Sequence, residues 1–239
     1  MKLLFTSDWH LDHVTAGKSR FDEVCSAVDE TVRTAVQEKC DHYFFLGDLM
    51  DPDSGSVTYR ALKFVNNTMK WLREQEIISH WLVGNHDVIE DGLGTTTLTP
   101  LATAMNTYVY EHPQLSQFSN FTVLALPFTP TSHAYIPGDF IKSSAKRITP
   151  STPVVVIGHL NIAGVIPGEE TYEMPRGREV VFPREEIRNY LPNAYLFNGH
   201  YHRRQIHDGV HIPGALARLT FGEERHAPGY MIVEIQDVI

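Results

Sequence analysis

Seven residues at or near the ends of predicted strands carry oxygen or imidazole donors: Asp8, His10, Asp48, Asn85, His159, His200 and His202. Seven donors exceed what one tetrahedral zinc accepts. They suit two octahedral-leaning cations that share a bridging carboxylate, with a bridging water in the remaining shared position. No cysteine is among them, so the mixed nitrogen and oxygen field favours Mn, Fe or Zn, and four imidazoles fit Mg less well. Such a pair, about 3.5–4 Å apart, lowers the pKa of the water between them and clamps two phosphoryl oxygens. In-line phosphoester hydrolysis needs both, and it also needs a proton for the leaving oxygen.

His86 is the candidate for that proton. It follows the donor Asn85 but is not itself required as a ligand, so its imidazole is free to act as acid or electrophile. Asp51, three residues after Asp48, can hold the imidazole in its charged form, because a nearby carboxylate raises a histidine pKa. The competing reading of Asp51 is a turn residue before Pro52. Arg203, Arg204 and Arg218 lie near the last donors and are candidates for contact with a phosphate backbone, against an ordinary solvated role. Trp9 is expected to pack under the site. His13, His42, His80, His112, His133, His207, His211 and His226 match no motif and read as core or surface residues.

The elements that must position these groups repeat as strand, loop, helix. Lys2 to Thr6 reads as a strand that runs into Asp8 and His10, whose i, i+2 spacing in extended chain would point both the same way. Phe21 to Glu38 has helical spacing of apolar residues, His42 to Leu46 is a strand ending in Gly47-Asp48, and Val57 to Glu74 is a second amphipathic helix. The apolar run Ile77, Ile78, Trp81, Leu82, Val83 opens into Gly84-Asn85-His86-Asp87. A short helix is expected around Leu101 to Met105, strands at Tyr108 to Tyr110 and Phe121 to Leu126, and a helix near Phe140 to Arg147. Val154 to Ile157 is a β-branched strand delivering Gly158-His159. Pro183 to Leu191 reads as a helix, Tyr195 to Phe197 as a strand before Gly199-His200-Tyr201-His202, and Asp208-Gly209 as a hairpin turn. Leu219 to Phe221 and Tyr230 to Ile235 are the last expected strands. The stretches from Val88 to Thr99 and from Asn161 to Arg178 read as loops beside the site.

The 239 residues, 42% hydrophobic and 21% charged, are ordinary for a globular protein. No apolar run approaches the ~20 residues of a membrane helix, and the N-terminus reads as a first strand and not as a signal peptide. Cys25 and Cys40 are expected as free thiols in a reducing compartment, hence a cytoplasmic location. The net charge of −9 argues against a general nucleic-acid binder, although divalent cations would return positive charge where a phosphate must sit.

The ordered set Asp8-x-His10, Gly47-Asp48, Gly84-Asn85-His86-Asp87, Gly158-His159 and Gly199-His200-x-His202 resembles the calcineurin-like metallophosphoesterase superfamily over nearly the whole chain. Gly158 to Gly164, the segment Ile212 to Glu224 and Gly229-Tyr230 are similar to SbcD-type nucleases, which process DNA double-strand breaks. The resemblance implies an α/β fold, a four-layer α/β/β/α sandwich. No internal repeat, low-complexity tract or linker is visible, so a single domain over 1–239 is expected, and in a departure from longer members no separate capping domain is expected. The resemblance also implies two divalent ions, usually Mn2+ in that branch, with Fe2+, Zn2+ or Mg2+ as alternatives. Asp8, His10, Asp48 and His202 would hold one ion and Asp48, Asn85, His159 and His200 the other, with His86 assisting the leaving group. Some members have histidine where Asp51 stands. Candidate partners are DNA, an SbcC-like ATPase and a second copy of the chain, with no membrane. A small phosphodiesterase or phosphatase acting on nucleotides or other monomeric esters is the alternative function, and a non-catalytic scaffold the third.

Overall fold

The computed structural model describes residues 1–52, 55–89, 94–129, 137–149, 151–166 and 180–235. In chain order these form β1 (Lys2–Thr6), β2 (Val14–Thr15), β3 (Lys18–Ser19), α1 (Phe21–Gln37), β4 (His42–Phe45), α2 (Ser56–Glu74) and β5 (Ile78–Leu82). Then come β6 (Thr107–Tyr110), β7 (Gln114–Gln117), β8 (Thr122–Leu126), α3 (Pro137–Ala145), β9 (Val154–Gly158), α4 (Arg184–Tyr190) and β10 (Tyr195–Asn198). The chain finishes with β11 (Gln205–His207), β12 (Val210–Ile212) and β13 (Met231–Glu234).

Two mixed sheets result. One has the order β13-β1-β4-β5-β6 and the other β11-β12-β10-β9-β8-β7. The central strands run parallel, β1 with β4, β4 with β5, β8 with β9 and β9 with β10, whereas β13 and β7 pair antiparallel at the edges.

The alternation of side chains along each strand explains the layers. Leu3, Phe5, Phe44 and Leu46 of the first sheet meet Val123, Ala125, Val155, Ile157 and Phe197 of the second in one buried cluster. On the far side of the first sheet, Leu4, Tyr43 and Phe45 pack against Val24, Val28 and Val32 of α1 and Val65, Met69 and Leu72 of α2. Leu124, Leu126, Val154 and Val156 likewise pack against Ile141 of α3 and Ile187 of α4. Three apolar layers separate four layers of structure, the α/β/β/α sandwich. Both faces of the central strands are covered, so these strands read as continuous apolar runs.

Two expectations need correction. Leu219 to Phe221 is not a strand; Phe221–Arg225 is a 3-10 turn, because Glu223 folds back to accept the Leu219 amide at 2.6 Å. Instead of a helix over Leu101 to Met105 there is one 3-10 turn, Thr99–Leu101, with Pro100 in its first turn. The strand β7 carries no alternation strong enough to see in sequence, and it is held by its pairing to β8. Cys25 and Cys40 are free, and no helix among the described residues is long and apolar enough to cross a membrane. Within the expected loops, residues 90–93 and 167–179 lie outside the described residues, as does His133.

Candidate metal centre

All five motifs arrive at one end of the sandwich. Past β1 the Asp8 amide donates to Gly47 O (2.9 Å) and the His10 amide to Asp48 O (3.1 Å), so the ends of β1 and β4 continue side by side. The expected extended geometry at Asp8 and His10 does not hold: φ is +52° and +43° there, and it is also positive at Asp48 (+63°) and His200 (+75°). Left-handed backbone costs a non-glycine residue roughly 1–2 kcal/mol. Four of the seven candidate donors therefore owe their direction to turns held against local preference and not to strand alternation. Strain of this kind collects at functional sites.

The glycine before a donor makes room for close approach. A Cβ on Gly84 would lie 2.2 Å from Asp48 Oδ1, and one on Gly199 would lie 2.3 Å from both Leu46 O and Ser7 Oγ. No side chain fits at either position.

Asp87, which sequence reasoning placed in the motif without giving it a task, anchors the junction. Its fully buried carboxylate accepts the amides of Asp48 (2.9 Å), Leu49 (2.9 Å) and Gly84 (2.8 Å) and the hydroxyl of Thr97 (2.7 Å). Four donors on one carboxylate tie the end of β4 to the end of β5, each such bond contributing about 1.5–3 kcal/mol. The His86 amide adds a bond to Asp48 Oδ1 at 2.9 Å.

Two groups of donors converge. Asp8, His10 and His202 form one, and Asp48, His159 and His200 the other, with the ligand atoms of each group within 4.8 Å of one another. Asn85 Oδ1 joins the second, 3.0 Å from His159 Nε2 and 2.9 Å from His200 Nδ1. Asp48 Oδ2 lies 3.2 Å from His159 Nε2 and 3.8 Å from His10 Nε2, between the two groups, so one carboxylate could serve both. In the first group His10 Nε2 and His202 Nε2 face each other at 3.1 Å. Both oxygens of buried Asp8 have no hydrogen-bond partner among the described residues. A buried carboxylate with neither oxygen satisfied costs several kcal/mol unless a cation compensates it. The residues present therefore fit two metal ions. The far nitrogens are committed as a ligand set requires: His159 Nδ1 to Leu46 O (2.6 Å) and His202 Nδ1 to Glu223 Oε1 (2.8 Å).

Glu223 is the residue that sequence reasoning missed. It is 1% exposed and belongs to the stretch after the last histidines, but nothing in that stretch links its carboxylate to His202. The link exists because the 3-10 turn carries Glu223 back across the loop.

The electrostatics follow from burial and neighbours. Burial pushes the Asp8 carboxyl up. Burial would also raise Asp48, but the imidazoles of His159 and His10 outweigh it and hold that carboxyl well below the usual range. Burial and then the like charge of His159 lower His200 to about 3. His86 behaves oppositely. Burial lowers it, yet the hydrogen bond from Nδ1 to Asp51 Oδ1 (2.6 Å) and the charge of Asp48 carry it up to about 9.

Trp9 is fully buried, stacked edge-on against Trp81 at 5.5 Å, with its indole N–H on Thr6 Oγ1. Tyr201 is also buried, its hydroxyl taking the Ile162 amide and donating to Asn161. Arg203, Arg204 and Arg218 are all exposed. The first two line one pocket, whereas Arg218 donates to His226 O at 2.9 Å and faces a separate groove beside α1.

The calcineurin-like phosphoesterase family model matches residues 1–204. Among curated proteins, the chain is similar to an SbcCD nuclease subunit of Staphylococcus saprophyticus, 22% identical, covering 99% of this chain and 66% of that protein. It is also similar to an SbcCD nuclease subunit of Escherichia coli K12, 26% identical, covering 93% of this chain and 62% of that protein. The chain thus spans less than two thirds of the length of these relatives. Among solved structures it shares its fold with a dimetal phosphatase from Danio rerio, at TM-score 0.57 and 12% identity, over 97% of this chain and 91% of that one. The chain belongs to the calcineurin-like phosphoesterase family.

Proposed function

We propose that the chain hydrolyses DNA phosphodiester bonds in the manner of an SbcD-type nuclease, using two divalent cations, Mn2+ foremost. Two donor groups that share Asp48, with His86 beside them on Asp51, carry the reaction class. Similarity to nuclease-named proteins over 93–99% of the chain supports the substrate. Cations bound there would supply positive charge to the phosphoryl oxygens and lower the pKa of a water between them.

The protein's own groups would do the rest. Asp8, His10, Asp48 and His202 would hold one ion; Asp48, Asn85, His159 and His200 the other. Asp51 fixes Nδ1 of His86, which leaves Nε2 to deliver a proton to the leaving oxygen. Arg203, Arg204 and Arg218 would meet the backbone of the strand. The relatives are named as components of an SbcCD nuclease, so an SbcC-like ATPase is the partner to seek, with a second copy of this chain as another and the cytoplasm as the place. The net charge of −9 favours a second reading, turnover of small phosphoesters.

The deciding assay incubates end-labelled single- and double-stranded DNA, and separately bis-p-nitrophenyl phosphate, with Mn2+ and either the wild type or Asp48→Ala. DNA cleavage by the wild type alone is expected. Ester turnover without DNA cleavage would replace the nuclease reading with the small-ester one.

A further inference from the structure

Immediately beyond the candidate ligand His202, the chain places Arg203 and Arg204 on an exposed loop. The 3-10 turn Phe221–Arg225 returns beside it. Between them is a pocket of about 450 Å3 lined by Arg203, Arg204, Gly222, Arg225, His226 and Ala227. Among the described residues no carboxylate lines it. Arg203 and Arg204 make no ion pair among the described residues, and Arg225 reaches the exposed Glu224 at 3.7 Å, a weak surface contact. His226 Nδ1 is buried without a hydrogen-bond partner among the described residues. In a chain with 29 acidic and 20 basic side chains, three guanidinium groups around one carboxylate-free pocket form a local excess of positive charge. Their mutual repulsion is relieved by an anion.

The guanidinium fork matches the oxygens of a phosphate. The pocket is also tied to the metal centre, because Gly222 flanks Glu223, whose carboxylate holds His202. An anion seated there has a fixed relation to the donors of the first group. A monophosphate ester has a single phosphate, which would sit at the metals. A polynucleotide carries further phosphates on either side of the one being cut.

We infer that this pocket is a second phosphate site, occupied by a non-scissile phosphate of a polynucleotide strand, and that it selects polymer over monomeric ester. The inference rests on the nuclease reading for its substrate. It requires only that a strand bind.

The test is the double variant Arg203→Ala/Arg204→Ala, checked by thermal melting. If it melts early, Arg225→Ala, on the exposed turn, takes its place. Fluorescence anisotropy of a labelled single-stranded oligonucleotide is followed against salt on metal-free protein. The dissociation constant is expected to rise at least about ten-fold, and the slope of log affinity against log salt to fall by about 1.4, two contacts at about 0.7 each. With Mn2+, cleavage should lose through KM more than through kcat. Unchanged affinity and slope would overturn the inference, and so would displacement of the oligonucleotide by poly-glutamate as readily as by unlabelled oligonucleotide. Arginine-dependent binding without cleavage by the wild type would leave the pocket standing and sink the nuclease reading.

Discussion

Histidine gathers in two places in this sandwich, at the strand ends and inside the apolar layer between the sheets. At the strand ends, His10, His159, His200 and His202 stand among Asp8, Asp48 and Glu223, with His10 and His200 on left-handed backbone and the oxygens of Asp8 unsatisfied. Between the sheets, His42 Nδ1 meets His80 Nε2 at 3.0 Å and His80 Nδ1 meets the Tyr110 hydroxyl at 3.0 Å. His80 stacks on Phe44 at 4.2 Å, and His42 packs edge-on against Phe121 at 4.6 Å. The residue type is the same and the neighbours decide what it does. Carboxylates make one group a candidate cation site, whereas aromatic rings and a hydrogen-bond chain make the other a neutral piece of core. Burial lowers His42 to about 4 and His80 well below its ordinary value.

The sharpest way to break this contrast is to remove the shared carboxylate. Asp48→Ala should lose bound metal and at least roughly a thousand-fold in phosphoester hydrolysis, since both proposed cations would use that side chain. Metal content after dialysis and the rate on bis-p-nitrophenyl phosphate read both effects, and a variant that keeps two metals would remove Asp48 from the bridging position.

His86→Ala separates holding metal from moving protons. Both ions should stay while activity falls about 10²–10⁴-fold. Retained activity would take His86 out of the reaction. Asp51→Asn should act in the same direction but more gently, and the basic limb of the pH–rate profile should move to lower pH, because the carboxylate hydrogen bond and charge of Asp51 help raise His86 to about 9 while the charge of Asp48 remains.

Glu223→Gln tests support for a ligand from behind. Without the carboxylate on His202 Nδ1, metal affinity should drop about 10–100-fold, measurable by titration. An unchanged affinity would make Glu223 a purely structural residue.

The neutral cluster should announce itself through stability. Between pH 6.5 and about 4 an unfolded His42 binds a proton that the folded one refuses, so stability is whole above pH 6.5 and is lost as pH falls toward 4. The loss is roughly 3 kcal/mol for that group, with neighbouring Asp41 opposing it slightly. Denaturant melts of metal-free protein across this range should show a steeper loss of stability for the wild type than for His42→Leu. Parallel curves would mean that carboxylates alone set the acid limit.

Much of this arrangement is legible in the order of residues. Donors after predicted strands, most of them close behind a glycine, were readable because strand ends and close-approach glycines are local features. The parallel strands were readable because continuous apolar runs such as Val154 to Ile157 announce two covered faces. β7 and the turn at Phe221–Arg225 were not readable, since one depends on pairing with β8 and the other on where Glu223 finds Leu219 and His202.

The sequence by itself determined the donor types, their order and the strand-to-loop transitions that display them, because those depend on chemical identity and short-range periodicity. Only the tertiary structure decided which donors meet. His200 and His202, two residues apart, fall in different groups, and Asp48 reaches both. It also decided that His42 and His80 are core. Those outcomes are set by which strand ends the two sheets bring within a few ångströms, and pairing between residues far apart in the chain leaves no local trace.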